Sequence, residues 1–384
     1  MKYKNVVLYS SNLPPESVGG IETNAYYLIR NLLGTTGVKL HVLTLTKNKF
    51  VLFRSKKLPV EDRTLKAYRI KKSEIKSADV FLKLLRKLKC APDDTVIYHN
   101  TLDLHRLYGS IKRRGYRQVA RSGGNDIFFM KSELAEVPAL QNFANLDLLF
   151  VNSEYSFRRA TEAGFDRKVL RVIRGGCSRE RQVPRADDTG YARPIILSCC
   201  RLVDFKGLED AIDACRVLDA RGLDFTYLVI GDGNLREALR ARIEQHGLQR
   251  KCHLLGRMPP EQVHAYYQLA DVYLSSSKDV IKHNGQIEYV HTETMGRSLC
   301  EAQAYGVPVV STNAGGSPEM IERGVTGLVV EQGNVAAIAD ALTTLILDNN
   351  MRGAMGEMAA RHAEQNLSWA AVFEHTLAEM DRLA

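Results

Sequence analysis

Apolar residues follow two alternating rhythms along this chain. NVVLYS (5–10), KLHVLTL (39–45), TVIYHN (95–100), QVARS (118–122), LDLLFVNS (146–153) and KVLRVI (168–173) are short β-branched runs that read as strands. Between them, IETNAYYLIRNLL (21–33) and VFLKLLRKLK (80–89) carry apolar residues at helical spacing. A polar stretch with Gly and Pro at 174–194 interrupts the rhythm and reads as a linker. The alternation then restarts with PIILSCC (194–200), FTYLVIG (225–231), CHLLG (252–256), ADVYLSSS (270–277) and VPVVST (307–312), with helices such as 235–247 between. Strand and helix in turn imply parallel sheets covered on both faces. The expected class is α/β, with two doubly wound domains over 1–182 and 183–366 facing across a cleft. Ligands bind in such folds at the strand C-termini. A last segment, 367–384, puts Trp369, Val372, Phe373, Thr376, Leu377 and Met380 on one helical face, which has to dock elsewhere.

A chain of 384 residues suits two domains, and 45% apolar with 25% charged residues is ordinary for soluble globular proteins. No run of 18 apolar residues occurs, so no membrane-spanning helix is expected. The opening MKYKNVVLYS reads as a strand and lacks a signal peptide's pattern. Seven cysteines without a C-x-x-C argue against a disulfide framework or zinc site and suit a reducing cytoplasm. Charge changes the picture more. Up to position 184 there are 34 basic and 17 acidic residues; beyond it there are 19 and 27. The first half therefore faces something anionic: nucleic acid, a phospholipid surface or a phosphorylated substrate. No helix-turn-helix, zinc or RNP-like pattern appears, so nucleic acid is not expected.

Candidate chemistry gathers after the strands of the second half. In ETMGRSLCE (293–301), Ser298 and Glu301 have the spacing of a capping box, with Ser298 as N-cap. The same helix end offers free N–H groups at Gly296, Arg297, Ser298 and Leu299 that would hold a phosphate. Glu301 would then meet a ribose diol, and Glu293, on the loop ahead, a sugar hydroxyl. RLVDFKG (201–207) sets Arg201 and Lys206 around a strand-to-helix turn, an arrangement that suits a diphosphate. VGGIE (18–22) places Gly19 and Gly20 at a helix start, and GDG at 231–233 reads as a tight turn.

The ordered set VGGIETNAYYLIRNL, RLVDFKGLEDAI, LVIGDGNLREAL, HLLGRM, ETMGRSLCE, EAQAYGVPVVSTNAGGSPEMI and GVTGLVV resembles family 4 of the retaining glycosyltransferases, strongly over 194–345 and weakly before it. That resemblance implies two Rossmann-like domains (the GT-B arrangement) with the C-terminal helix crossing back to the first. It implies transfer of a sugar from a nucleotide diphosphate sugar, with a uracil base, to a hydroxyl acceptor. No prosthetic group and no metal are implied. Arg201 and Lys206 would neutralise the departing diphosphate, Glu301 would hold the ribose and Glu293 the donor sugar near the reacting face. Gly296, Arg297, Ser298 and Leu299 would bind phosphate and sugar, Gly19 and Gly20 the distal phosphate. Backbone around Arg257 and Met258 would hold the base, with Gly231 nearby. Retention in this family needs no protein nucleophile, so the protein supplies positioning and leaving-group stabilisation.

The pattern departs from the family at RSGGND (121–126), where a histidine is usual. Its role passes to backbone, Ser122, Asn125 or Asp126 on the acceptor side; His99 either joins them or is an ordinary strand-end histidine. KDVIKHNGQIEYVH (278–291) is longer than usual and either shapes the sugar pocket or is an idle insertion. The helix at 80–89 sets Val80, Phe81, Leu84, Leu85 and Leu88 opposite Lys83, Arg86, Lys87 and Lys89. It is either a core helix or a basic helix lying on anionic lipid. The expected partners are thus the donor, a lipid-linked or small-molecule acceptor and an anionic membrane surface. A phosphorylase, an epimerase or a non-catalytic membrane-associated binding protein on the same fold are the competing readings.

Overall fold

The computed structural model describes residues 2–13, 20–46, 53–60, 63–71, 78–124, 138–179, 190–284 and 287–383. The chain divides into two compact units: Met1–Gly175 with Trp369–Ala384, and Gly176–Ser368. Gly19, Asn125 and Asp126 lie outside the described residues, as does 180–189 within the expected linker.

The first unit holds β1 (Asn5–Tyr9), β2 (Lys39–Thr46), β3 (Phe53–Val60), β4 (Arg63–Lys71), β5 (Thr95–His99), β6 (Arg117–Arg121), β7 (Leu148–Val151) and β8 (Leu170–Val172). They form one sheet in the order β3-β4-β2-β1-β5-β6-β7-β8. Every pair is parallel except β3 with β4. Its helices include α1 (Gly20–Gly34) and α2 (Ala78–Lys87). Central strands such as β1 and β5 are buried along their whole length, as strands covered on both faces must be. The pair β3–β4 is an addition to the expected strands. It sits at the sheet edge and is rich in Lys and Arg, which hides the strand signal.

In α2, Phe81, Leu82, Leu84 and Leu85 are buried, followed by Leu88, while Lys83, Arg86, Lys87 and Lys89 are exposed. Its apolar stripe is therefore a core face, and only the cationic face meets solvent.

The second unit carries a six-stranded parallel sheet in the order β11-β10-β9-β12-β15-β16. Its strands are β9 (Ile195–Cys199), β10 (Thr226–Ile230), β11 (Cys252–Gly256), β12 (Val272–Ser275), β15 (Val309–Thr312) and β16 (Gly327–Val330). A separate antiparallel hairpin is made by β13 (Val280–Asn284) and β14 (Ile287–His291). Val280–Asn284 and Ile287–His291, within the long segment at 278–291, are thus paired strands. Helix α3 (Leu208–Ala220) buries Leu208, Ala211, Ile212, Cys215 and Leu218, the i, i+3, i+4, i+7 pattern of a sheet-facing helix. Helix α4 (Arg297–Ala304) follows the hairpin. The strand sequence runs outward from β9 in one direction through β10 and β11, and in the other through β12, β15 and β16. The topological switch point is therefore the gap between β9 and β12.

The terminal helix α5 (Trp369–Asp381) belongs to the first unit, as the family resemblance implies. Trp369 stacks on Tyr27 of α1 with ring centroids 4.4 Å apart and planes 10° from parallel. Val372 and Met380 join the core of the first sheet, and Arg171 pairs with Glu379 at 3.0 Å.

Candidate active site

The chain leaves β9 through a turn that is shaped by contacts between backbones. Leu202 N–H donates to Asp232 O at 3.0 Å, so the turns after β9 and β10 lie against each other. A Cβ on Gly231 would stand 1.8 Å from Cys200 O, at a φ of 138°. Glycine is required at 231 by this approach between strands, which supports the tight-turn reading of GDG. Beyond the turn, a single 3₁₀ turn, Asp204–Lys206, delivers Lys206.

Arg201 is exposed and makes no ion pair among the described residues; its guanidinium carbon lies 5.7 Å from the Phe205 ring centre. Lys206 is bound differently. Its ammonium pairs with Glu293 Oε2, with the two side chains 14% and 18% exposed. Glu293 Oε1 accepts from Gly296 N–H at 3.1 Å. Burial opposes the charge on Lys206, but the Glu293 carboxylate outweighs it and raises the ammonium above its ordinary value. Burial likewise opposes ionisation of Glu293, and Lys206 with the Gly296 and Met295 N–H groups overcomes it. The two form an ionised pair at neutral pH.

Helix α4 starts at Arg297, and its N-cap is Gly296 at φ 83°, with no side-chain capping hydrogen bond. The capping-box expectation fails here. Ser298 lies inside the first turn, and its hydroxyl accepts from Tyr273 at 2.7 Å. Glu301 accepts from Tyr267 at 3.0 Å and pairs with Arg297 Nε at 3.3 Å. Leu299 is buried core, and its N–H turns back to Gly296 O. The first-turn N–H groups of Arg297 and Ser298 have no acceptor among the described residues.

Arg201, Lys206, Glu293, Arg297, Ser298 and Glu301 thus gather at the C-terminal ends of the central strands of the second sheet, beside its switch point. A polar cavity the size of about one water lies among them, lined by Ser198, Lys206, Tyr273, Ser276 and Ser298. Arg257 is exposed after β11, and Met258 packs partly buried on the apolar cluster of Tyr267 and Leu299. Gly231 N–H donates to Gly256 O at 2.8 Å, which ties that loop to the Arg201 turn.

Residues 183–362 match the family model for Glycosyl transferases group 1. Over that segment, a little under half of the chain, the sequence is similar to the group 1 glycosyltransferases. "Amylovoran biosynthesis glycosyltransferase AmsK" of Erwinia amylovora is 32% identical over 232 residues, 60% of this chain and 55% of that protein. "GDP-mannose-dependent alpha-(1-6)-phosphatidylinositol monomannoside mannosyltransferase" of Mycolicibacterium smegmatis is 29% identical over 275 residues, 68% and 70% of the two chains. The chain spans about half the length of the first curated relatives it matches. Anabaena Alr3699/HepE, solved in complex with UDP and glucose, shares the fold with a TM-score of 0.72 at 18% identity, over 98% of this chain and 99% of that one.

The motif residues gather within this matched segment, and among the described residues no obvious nucleophile joins them. Burial pushes the Cys199 and Cys200 thiols up to about 12 and about 11, so both stay protonated at neutral pH. Among the described residues no group of three or more His, Cys, Asp or Glu could hold a metal ion.

The first unit corrects one expectation. His99 is fully buried among Tyr9, Phe81 and Tyr108, with Nε2 3.3 Å from Gln118 Oε1. Burial lowers its pKa to about 3, so it is neutral and removed from any acceptor. Strand β5 lies between β1 and β6 and is covered on both faces, so its last residue points into the core. Ser122 is also buried and its hydroxyl accepts from Gly124 N–H at 3.1 Å in a local turn. Gly20 begins α1, and a Cβ there would meet nothing within 4 Å.

Four contributors are not evident from the motifs. Tyr267 and Tyr273 are fully buried and hold Glu301 and Ser298 by their hydroxyls. Phe205 and His291 lie under the cationic turn. Only Phe205 stands inside a motif, and the other three reach the site through long-range packing.

Proposed function

We propose that the chain is a retaining, metal-independent glycosyltransferase that moves a sugar from a UDP-sugar to a hydroxyl acceptor in surface-glycan or glycolipid synthesis. The observation that carries it is the cationic turn of Arg201 and Lys206 placed with the open first turn of α4 at the switch point. Anions bind where helix N–H groups and cations converge. A diphosphate there has Lys206 and Arg201 to offset its charge, and Glu301 stands one helical turn away for a ribose diol. The UDP held by the Anabaena neighbour supports the uracil base, and the names of the polysaccharide-biosynthesis relatives support the product class.

The carboxylates favour electrostatic over nucleophilic work. Glu293 is already engaged by Lys206 and Gly296, and Glu301 by Tyr267 and Arg297. In the proposed step the bond from the anomeric carbon to the phosphate oxygen breaks while the acceptor oxygen bonds that carbon on the same face. The acceptor proton passes to the leaving phosphate. The donor belongs to the second domain (183–366) and the acceptor to the first (1–182), with Gly19 and Gly20 meeting the distal phosphate and Asn125 or Asp126 on the acceptor side. The exposed Lys83, Arg86, Lys87 and Lys89 suit an anionic lipid surface that presents the acceptor. Among the described residues no helix is long and apolar enough to cross a membrane.

The test incubates purified chain with a panel of UDP-sugars and GDP-mannose, lipid and oligosaccharide acceptors, with and without chelator. Nucleotide should be released from a UDP-sugar only when acceptor is present, the product should keep the donor's anomeric configuration, and chelator should change nothing. Lys206→Ala, Glu293→Ala and Glu301→Ala should each lose nearly all turnover while staying folded. Release only to free phosphate, or donor alteration without acceptor, would point to a phosphorylase or an epimerase.

A further inference from the structure

The hairpin β13–β14 and the ring of Phe205 lie outside the chemistry just described, yet the ring touches both of its cations and the hairpin touches the ring. In the register of the hairpin Val280 pairs with His291 and Lys282 with Tyr289, so these four share one face. The other face carries Ile281, His283 and Glu288, all exposed. The first face is turned to the Asp204–Lys206 turn, because Lys282 pairs with Asp204 and the His291 ring packs on Phe205 with centroids 4.2 Å apart. Lys278 N–H, just before the hairpin, donates to Phe205 O at 2.8 Å. Phe205 itself is buried, and it carries Arg201 at 5.7 Å and Lys206 at 5.2 Å from its ring centre. Its ring contacts both site cations and the hairpin's His291. The return strand β14 then leads, two residues on, to Glu293.

We propose that Phe205 and His291 are positioning residues for the diphosphate-binding cations. In this arrangement the hairpin serves as the clamp that holds Phe205 under Arg201 and Lys206. It rests on the glycosyltransferase reading above and adds to it what fixes an exposed guanidinium that has no carboxylate partner among the described residues. A cation held over an aromatic face is pre-oriented for an incoming phosphate, and it loses less rotamer freedom on binding. The stack needs a flat ring at 291 and does not need its nitrogens for this purpose.

Calorimetry with UDP and with GDP as probes, on the full chain, tests this independently of donor and acceptor. His291→Ala and Phe205→Leu should weaken binding of the preferred nucleotide about tenfold, roughly what loss of cation–π and stacking support implies. His291→Phe should restore it to within about twofold of the unmodified chain. Melting temperature serves as the folding control, and Lys282→Met, which removes the hairpin's other anchor, gives a milder variant at the surface that should weaken binding a few-fold. Unchanged nucleotide binding in His291→Ala and Phe205→Leu, while Lys206→Ala abolishes it, would overturn the proposal and leave the function standing. A folded His291→Phe as weak as His291→Ala would also overturn it. If neither nucleotide bound the unmodified chain, the function itself would fall.

Discussion

Removing one partner of the Lys206–Glu293 pair leaves the other charge stranded in a site only 14% to 18% exposed. Two unit charges about 3 Å apart attract by roughly 5–6 kcal/mol at an effective dielectric near 20. Desolvation of both groups cancels most of that, so the intact pair adds little net stability. A single substitution behaves otherwise, because the desolvation cost of the survivor is no longer offset. Lys206→Met and Glu293→Gln should each destabilise the second unit by about 2–3 kcal/mol, and the double variant by less than their sum, with a coupling of at least about 1 kcal/mol. For a domain of this size that is a loss of about 5–10 °C in each single variant. The sole tryptophan, Trp369, belongs to the first unit, so its fluorescence is the internal control and circular dichroism follows the second. The pH dependence follows from the two shifts. Glu293 is depressed below 4.5, so its contribution is present above that value and fades as pH falls through the folded pKa. Lys206 is raised above 10.5, so its contribution is present below that value and fades as pH rises through the folded pKa. The gap between the unmodified chain and Glu293→Gln should therefore be flat from about pH 5 to 10 and narrow on the acid side. Additive melting losses, or a gap undiminished in strong acid, would refute the coupling.

Tyr267→Phe takes one donor from Glu301 and should weaken UDP binding about fivefold by calorimetry, with Glu301→Gln weakening it further; equal binding in both would remove Glu301 from the nucleotide site. Trp369→Ala removes the stack on Tyr27 and should cost the first unit about 3 kcal/mol, seen as faster amide exchange in α1 and α5 with the second unit's exchange unchanged.

The strands of both sheets were legible because a parallel strand covered on both faces has to be a short continuous apolar run, and NVVLY or TYLVI can be little else. The same logic hid β3 and β4, whose edge position favours charge. The hairpin left a readable cue that its charge obscured: two short β-branched runs, VIKHN and IEYVH, stand on either side of a Gly in the sequence, and they pair with Asn284 opposite Ile287. His99 misled because a polar residue at a strand end is expected to face a ligand, whereas β5 is central and its end is roofed by Phe81 and Tyr108. Tyr267, Tyr273 and His291 carry no local pattern, since their roles exist only after distant segments pack.

The glycines of the motifs show why a sequence pattern can point to the right place for mixed reasons. Gly231 is demanded by the chain itself, since any Cβ would collide with Cys200 O. Its presence marks the closeness of two turns, and through them the position of Arg201, without implying contact with a ligand. Gly20 is the opposite case: it opens α1, and among the described residues nothing lies within 4 Å of where its Cβ would stand. A small residue that the fold does not require is the one whose smallness a ligand can use, because a phosphate approaching a helix N-terminus needs unobstructed N–H groups. Gly231 thus answers to the chain itself, whereas the proposed phosphate contact at Gly20 is compatible with the open start of α1 and has to be tested by binding.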